Sequence, residues 1–293
     1  LVTAFAGSME PVVLVGAGRA GRALAAALRA AQVEHALVDR EGVVVQHGAA
    51  RVASRAAAVR AASTILVAVR DGQLDVALDE LRTQDGVRTG TVVLQVSGSA
   101  EPAARERIET AGLHYGTFHP LLPLIDPSLA SVRLQGSVIG IEGDAEARAV
   151  AGRLAVRLGA TTIEIPRAER AAYHAAAVIA SNFPVTLAAL AEGLLSRIGV
   201  DALAAHRAVR ALMAASVENL AGAPRALDAL TGPIARSDVA TVRAHATALH
   251  GARPYHEVYE VVSRATLALM RERGDDATAM AALESALDAD GLR

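Results

Sequence analysis

A glycine-rich hexapeptide near the start of the chain, Gly16-Ala17-Gly18-Arg19-Ala20-Gly21, carries the strongest chemical signal in the sequence. It follows the apolar run 11–15 and opens an alanine-rich helical pattern over residues 22–31. Glycines at this spacing permit a tight turn, the close approach of a diphosphate and the packing of a helix on a strand. Unpaired N–H groups at the start of the helix attract phosphate charge. The motif therefore predicts a dinucleotide site containing Gly16, Gly18, Arg19, Ala20 and Gly21.

Two charged neighbours, Asp39 and Arg40, end the second apolar strand, where the adenosine ribose of a dinucleotide lies. The Asp39 carboxylate can accept hydrogen bonds from both ribose hydroxyls, which favours NAD. The Arg40 guanidinium can stack on adenine or pair with the 2′-phosphate of NADP. An ordinary acidic and basic pair at the start of a surface loop is the alternative. We place both residues in the cofactor site, and their types leave the choice of cofactor open.

Polar residues also follow three later apolar runs, where ligands of doubly wound sheets bind. Val69 and Arg70 follow the run 64–68, and Ser97 and Ser99 follow 91–96. We expect Val69, Arg70 and Ser97 to contact the cofactor and Ser99 to contact the substrate, although serines after a strand are equally ordinary caps of a helix. His119, which the next proline restricts to an extended backbone, follows 114–117 and is either a site residue or a structural histidine.

The long helical pattern after residue 166 holds several polar side chains in an otherwise apolar stretch. At about 100° per residue, His174 and Ser181 lie within about 20° of each other, and Asn182 lies about 80° from His174. These three side chains can therefore face one cleft, beside the break expected at Pro184. The alternative is a set of buried polar groups that backbone carbonyls or dimer contacts satisfy.

A glycine- and proline-containing loop, residues 230–238, precedes a later helix. Within it, the planar guanidinium of Arg236 suits two-point binding of a substrate carboxylate. A simple ion pair between Arg236 and Asp238 is the alternative.

Composition excludes several kinds of chemistry. All 29 basic residues are arginine and cysteine is absent, so lysine Schiff bases, lysine acids, thiol nucleophiles and cysteine zinc sites are ruled out. We expect no metal. The net charge of −2 gives no general attraction to nucleic acid or anionic membranes. No apolar run approaches the roughly 18 to 20 residues of a membrane span, and residues 1–9 lack the parts of a secretion signal. We therefore expect a soluble, cytoplasmic protein.

The order of elements predicts two domains. Over residues 10–165, short β-branched runs alternate with helical stretches, which is typical of an α/β dinucleotide-binding domain with a doubly wound parallel sheet. The seven predicted strands are 12–15, 35–38, 64–68, 91–96, 114–117, 137–141 and 161–164. Residues 166–293 predict an all-helical domain for substrate binding and dimerisation. Its long alanine-rich helix favours a homodimer.

These motifs together resemble those of the β-hydroxyacid dehydrogenase and ketopantoate reductase superfamily, in which a Rossmann domain precedes a phosphogluconate-dehydrogenase-like helical domain. More narrowly, the chain is similar to a Rossmann-like family with a C-terminal domain of unassigned function. The stretches that carry this similarity are 15–24, 96–99, 118–121, 173–177 with 181–182, and 230–238. The resemblance implies an oxidoreductase that reduces a small ketoacid such as ketopantoate with NADP, or with NAD.

One departure from the superfamily concerns the proton donor. Superfamily reductases place a lysine on the first long helix of the second domain, and this chain has none. His174, eight residues before Asn182, occupies the comparable place, and its imidazole can protonate a nascent alkoxide.

We accordingly expect Asn182 and Ser97 to polarise the carbonyl or orient the nicotinamide amide. His119 would line the pocket, and Ser181 and Arg236 would bind the substrate. Other hydroxyacid or imine substrates, an NADP-binding redox sensor and a structural dimer without turnover are the alternatives.

Overall fold

The computed structural model describes residues 9–48, 52–123 and 126–288. By its internal contacts the chain divides into two compact units, one up to Asn182 and one from Phe183 onward. The sequence predicted a boundary at 165/166, which is where the strands end, whereas the division of contacts lies within a long helix. Each unit is described below by itself.

The first unit contains an eight-stranded sheet in the order β3-β2-β1-β4-β5-β6-β7-β8. The strands are β1 (Val12–Val15), β2 (His35–Val38), β3 (Val43–His47), β4 (Thr64–Val67), β5 (Val92–Gln95), β6 (His114–Pro120), β7 (Val138–Gly143) and β8 (Thr161–Glu164). Neighbouring strands are parallel except for β2–β3 and β6–β7, which are antiparallel. The predicted α/β fold with a doubly wound sheet is confirmed, and the sheet is parallel except at these two pairs.

Strand β3 and the reversed direction of β7 were not predicted. β3 forms a hairpin with β2 through a turn at residues 39–42, in which Gly42 adopts a φ of +143°. Three consecutive valines at 43–45 were a signal for this strand. The connection from β6 to β7 stays at the end of the sheet where β6 finishes. β7 therefore starts at that end and runs antiparallel to β6.

Helices cover both faces of this sheet, so its central strands are buried on both sides. The helices of the first unit are α1 (Arg19–Ala30), α2 (Arg55–Ala61), α3 (Leu74–Glu80), α4 (Arg105–Thr110), α5 (Ala130–Leu134) and α6 (Ala145–Arg157). Every residue of β1, β2, β4 and β5 is buried. One core layer contains Leu14, Leu24 and Phe118, and the opposite layer contains Val13, Ile65 and Tyr115. Nearly continuous apolar strands are what a sheet covered on both faces requires.

Helix α7 (Arg170–Arg197) begins in the first unit and continues into the second. It is unbroken at Pro184, where the sequence predicted an interruption. By length and composition, the stretch Arg167–Arg197 is the one helix of the described chain that could cross a membrane, which is weak evidence on its own.

The second unit is all helical among its described residues. It contains the rest of α7 and α8 (Ala202–Gly222), α9 (Gly232–Ala235), α10 (Val239–Leu249), α11 (Tyr255–Arg273) and α12 (Ala277–Leu287). Asp201, Asp238 and Asp276 cap the starts of α8, α10 and α12 by accepting hydrogen bonds from backbone N–H groups. Its small core contains Leu267, Met270 and Leu283.

Candidate functional site

A cavity of about 1000 Å³ lies in the first unit at the carboxyl ends of five strands, β1, β2, β4, β5 and β6. Its size is at the upper end of the range of ligand sites, and its place is where open α/β sheets bind ligands. Nine of the predicted site residues line it: Gly16, Gly18, Arg19, Ala20, Asp39, Arg40, Val69, Arg70 and His119. The sequence did not single out Arg55, Gln73, Glu80 or Leu122, which also line it.

The turn between β1 and α1 is shaped by its three glycines. Gly16 has a φ of +111°, and a Cβ there would lie 2.6 Å from the carbonyl oxygen of Ala68. A Cβ on Gly21 would lie 1.9 Å from the carbonyl oxygen of Gly16, so Gly21 supports the turn from beneath and does not line the cavity. A Cβ on Gly18 would meet nothing within 4 Å. The turn is therefore fixed by Gly16 and Gly21, and it is open at Gly18.

Helix α1 presents its first N–H groups at this opening. Gly18 is its N-cap, no side chain caps it, and its first turn contains no acidic residue. An anion can therefore take the place of the missing cap. The geometry fits the diphosphate of a dinucleotide, because the space that a side chain at Gly18 would fill is the space that a phosphate would need.

The Asp39 carboxylate accepts hydrogen bonds from the turn that follows it. Its Oδ1 atom accepts the backbone N–H groups of Glu41 and Gly42 at 2.9 and 3.1 Å. These hydrogen bonds close the hairpin between β2 and β3, so one of the two carboxylate oxygens of Asp39 is used by the turn. Arg40, by contrast, has a side chain that is 64% exposed and that reaches Gln73 Oε1 at 3.2 Å.

A second arginine reaches the same end of the cavity from helix α2. Arg55 bonds Glu80 at 3.1 Å and the buried carboxylate of Asp85 at 2.8 Å, and Glu80 also lies 3.5 Å from Arg40. Glu80 therefore bridges two guanidinium groups at the cavity wall. Nothing in the local sequence around residue 55 indicates this approach, because it depends on how α2 and α3 pack.

Ser97 and Ser99 turn out to shape the loop after β5. Ser97 Oγ accepts the backbone N–H groups of Ser99 and Ala100 at 3.3 and 3.1 Å. Ser99 Oγ donates to Asp71 Oδ2 at 3.3 Å. Neither serine lines the cavity, and Ser97 holds its own loop without capping a helix, because α4 begins at Arg105 with Ala104 as its N-cap.

His119, at the end of β6, lines the cavity and is held by Tyr173 of α7. Its Nδ1 atom lies 2.7 Å from the Tyr173 hydroxyl oxygen, and the two rings meet edge to face. Burial lowers the pKa of His119 to about 4, assisted by the nearby charges of His174 and Arg170. Burial also raises the pKa of Tyr173 to about 12. Both side chains are therefore neutral at pH 7.

The remaining candidates lie on α7 and in the second unit. His174 is half-buried, with its ring 6.1 Å from that of His119, but it does not line the cavity. Ser181 and Asn182 are exposed on α7. Arg236 is exposed in the second unit, where Asp238 uses both carboxylate oxygens on Thr241 at 3.1 and 2.7 Å.

A buried ion cluster anchors the start of α7 to the sheet. Glu142 of β7 accepts Arg105 of α4 at 2.9 Å and Arg170 of α7 at 3.4 Å, and all three side chains are at least nine-tenths buried. Arg170 also reaches the carbonyl oxygen of Ser97 at 3.4 Å. Because Arg170 stands one turn before Tyr173, this cluster sets where the tyrosine hydroxyl lies. Across the described residues, no group of three or more His, Asp or Glu side chains could hold a metal ion.

Comparisons with known proteins were made for both sequence and fold. Residues 137–266 match the model of a domain of unknown function, DUF2520. The match runs from the start of β7 into α11 and includes the motifs at 173–177, 181–182 and 230–238. A comparison with curated protein sequences finds no match.

Solved structures share the fold over nearly the whole chain. A protein of Thermotoga maritima is 22% identical over 90% of this chain and 99% of its own, with a TM-score of 0.67. Pyrroline carboxylate reductase of Plasmodium falciparum with NADP bound is 12% identical over 97% of this chain and 98% of its own, with a TM-score of 0.53. A reductive aminase of Aspergillus terreus, in complex with NADPH and ethyl-5-oxohexanoate, is 16% identical over 97% and 94%, with a TM-score of 0.54. The chain therefore has the fold of these proteins, a Rossmann-like sheet followed by a helical region.

Proposed function

We propose that the protein is an NAD(P)-dependent oxidoreductase that reduces a small carbonyl or imine compound bearing a carboxylate. The observation that carries the proposal is the open turn at Gly18, where uncapped N–H groups of α1 face a cavity along five strand ends. Two proteins with this fold were solved with NADP or NADPH bound, which supports the same choice of cofactor.

The residues present fit a dinucleotide from end to end. Gly16, Gly18, Arg19 and Ala20 would hold the diphosphate, while Asp39 and Arg40 would flank the adenosine ribose. His119 stands at the end of β6, four strands from β2 in the sheet, where the reactive ring would lie. When bound, the reduced nicotinamide supplies a hydride, and the protein's own residues supply position and electrostatics.

We further propose a preference for NADP. One oxygen of Asp39 already serves the hairpin turn, which weakens its ability to bind ribose hydroxyls. Arg40 and Arg55 both line that part of the cavity, and a guanidinium is well suited to bind a 2′-phosphate in two-point geometry. Release of Arg40 from Gln73 and Glu80 would free it for that contact.

The substrate class follows from the resemblance to ketoacid reductases and from the carbonyl and imine chemistry named for proteins of this fold. A ketopantoate-like ketoacid stays our first choice, and a cyclic imine such as a pyrroline carboxylate is the second candidate because of the reductase with this fold. His174, Ser181, Asn182 and Arg236 keep their predicted roles in substrate binding and protonation.

Two measurements in sequence test the proposal. Titration with NADPH and NADH, followed by protein and cofactor fluorescence, should show saturable binding that is tighter for NADPH. Loss of the reduced-cofactor absorbance with ketopantoate, pyruvate, 2-oxobutyrate and pyrroline carboxylates should then identify a substrate. Absence of cofactor binding would overturn the proposal, while binding without turnover would favour a redox sensor.

We also propose that the helical unit forms a homodimer. Eleven large apolar side chains are exposed in the second unit as a single chain: Phe183, Val185, Leu187, Ile198, Leu203, Leu212, Val217, Leu220, Val261, Val262 and Leu269. Monomeric proteins rarely expose apolar surface on this scale. Burial against a second copy suits α7 better than burial in lipid, because Asn182 and Glu192 lie within its length.

A further inference from the structure

The pair formed by His119 and Tyr173 has a geometry that assigns each side chain a role. We propose that Tyr173 fixes His119 as a neutral imidazole with its proton on Nε2, so that His119 donates a hydrogen bond to the carbonyl oxygen or imine nitrogen of the substrate. Tyr173 is then a positioning residue. The inference rests on the proposed function for the identity of the acceptor, and on the contacts and burial of the two side chains for the state of the histidine.

Two glycines make room for the pair. A Cβ on Gly140 of β7 would lie 2.2 Å from the Tyr173 hydroxyl oxygen, and a Cβ on Gly98 would lie 2.6 Å from Cε1 of His119. Any other residue at either position would displace the tyrosine hydroxyl or the imidazole ring. Both rings are therefore seated against bare backbone, which restricts their orientation.

The direction of the hydrogen bond follows from the chemistry of the two groups. A phenol is a strong donor, and the unprotonated nitrogen of a neutral imidazole is a strong acceptor. Among the described residues the Tyr173 hydroxyl has no other hydrogen-bond partner, so its proton can lie on the 2.7 Å line to Nδ1. A neutral imidazole that accepts at Nδ1 must carry its proton on Nε2.

The surroundings keep the imidazole neutral. His174 and Arg170 disfavour a positive charge on His119, while Asp71 favours it less strongly than burial opposes it. Tyr173 stays protonated because burial raises its pKa to about 12. Neutral imidazole is an effective donor to a carbonyl oxygen on which negative charge develops, and it needs no charge of its own to act.

This arrangement adds a hydrogen-bond donor on the sheet to the proton donor proposed at His174 of α7. His119 lines the cavity, whereas His174 does not, although their rings are 6.1 Å apart. The ion cluster of Arg105, Glu142 and Arg170 fixes the first turn of α7 and so fixes the tyrosine that holds the histidine. The hydrogen-bond donor of His119 is thus oriented before any ligand binds.

The state of His119 can be measured directly in the full-length protein. Long-range ¹H–¹⁵N spectra of histidine-labelled protein distinguish the two neutral tautomers and the imidazolium, and the variant His119→Gln assigns the signal. We expect the Nε2–H tautomer between pH 6 and pH 8 (roughly the range over which an ordinary histidine titrates). An Nδ1–H tautomer or an imidazolium in the wild-type protein would overturn the proposal, and this measurement needs no folded variant of Tyr173.

The variant Tyr173→Phe tests the positioning role. It should give a mixture of tautomers and a His119 pKa closer to the usual value. Tyr259→Phe is a matched control, since Tyr259 places its hydroxyl 3.0 Å from Nδ1 of His245 in the same edge-to-face arrangement in the second unit. The control should leave the His119 signal unchanged. A His119 signal that is identical in Tyr173→Phe and wild type would refute the role of the tyrosine.

Cofactor binding and turnover separate this inference from the proposed function. Tyr173→Phe should bind NADPH as wild type does and should reduce the carbonyl probe with a lower kcat/KM, by a factor smaller than the roughly 100- to 1000-fold cost of removing an aligned donor outright. Unchanged kcat/KM with normal NADPH binding would defeat the inference and leave the proposed function intact. A wild-type protein that binds no NADPH but shows the Nε2–H tautomer would defeat the proposed function and leave the state of the histidine as inferred.

Discussion

Gly21 lies so close to Gly16 that a methyl group at position 21 would be 1.9 Å from the Gly16 carbonyl oxygen. The variant Gly21→Ala should therefore be destabilised by several kcal/mol, about the size of an overpacked core, and should lose NADPH binding together with the fold. Gly18→Ala is the matched control for folding, since its added Cβ meets open space. It should keep the wild-type melting temperature and weaken NADPH binding about tenfold or more. Normal binding by Gly18→Ala would show that no diphosphate approaches this turn.

Cofactor preference should depend on Arg40. Replacing it with alanine removes a charge-assisted contact worth about 1.5–3 kcal/mol, so the Kd for NADPH should rise about 10- to 100-fold while the Kd for NADH changes little. Arg29→Ala removes an equally positive, exposed charge from the end of α1 and controls for net charge. Equal loss of NADPH and NADH affinity would contradict a 2′-phosphate contact at Arg40.

The buried carboxylate of Glu142 should matter far more to stability than an exposed one. Glu142→Gln leaves Arg105 and Arg170 without their shared counter-ion, and removing one partner of a buried ion pair costs about 3–5 kcal/mol. Glu146→Gln, which breaks a 3.4 Å pair with Arg153 at a partly exposed site, should cost less than about 1 kcal/mol. Urea unfolding of the two variants measures both values. Equal costs would mean that the cluster does not anchor α7.

The free energy of unfolding should fall as the pH is lowered from the pKa of His119 in the unfolded chain to its pKa in the folded protein. Unfolded His119 binds its proton near pH 6.5, whereas the folded residue binds it only near pH 4. The unfolded state therefore holds more protons in between, and the free energy of unfolding should drop by up to about 3 kcal/mol as pH decreases from 6.5 to 4.

Two variants isolate the histidine responsible for this loss. His119→Gln should flatten the dependence, while His206→Gln, which removes an exposed histidine bonded to Glu192 at 2.9 Å, should keep it. Burial also lowers the pKa of His35, so a smaller slope of the same sign should persist in His119→Gln. A slope that is identical in wild type and His119→Gln would exclude the burial effect.

The exposed apolar side chains of α8 should control the oligomeric state. Leu212 and Val217 are 70% and 64% exposed in the single chain, so glutamates there should leave the protomer folded and separate the dimer. Sedimentation analysis should give a dimer for wild type and a monomer for the double variant. Val132→Glu, at a 69% exposed site on α5, is the control expected to remain dimeric. A monomeric wild type at micromolar concentration would contradict the proposed homodimer.

Local patterns determined which features could be predicted from sequence. The glycine motif and the buried strands depend on neighbours in the chain, and both are present where expected. The approach of Arg55 to Arg40 through Glu80 depends on packing between separate helices, which no spacing encodes. The same is true of Tyr173, which meets His119 from 54 positions away in the sequence.

The turn formed by Ser97 illustrates a choice between two interpretations that sequence leaves open. A serine after a strand suits both a ligand contact and a turn, and only the positions of the Ser99 and Ala100 N–H groups decide between them. Asp39 is similar, because the hairpin that uses its oxygen exists only through β3. The predicted residues that line the cavity are those whose backbone sits at a strand end.

Arg170 beside His119 has a consequence for assays at high pH. A guanidinium keeps its charge above pH 12, and no lysine exists anywhere in the chain to be neutralised before then. The contribution of Arg170 to the electric field on the imidazole is therefore constant at alkaline pH, so a rate profile limited by this histidine should form a plateau up to the pKa of Tyr173 at about 12 and should decline on the acid side.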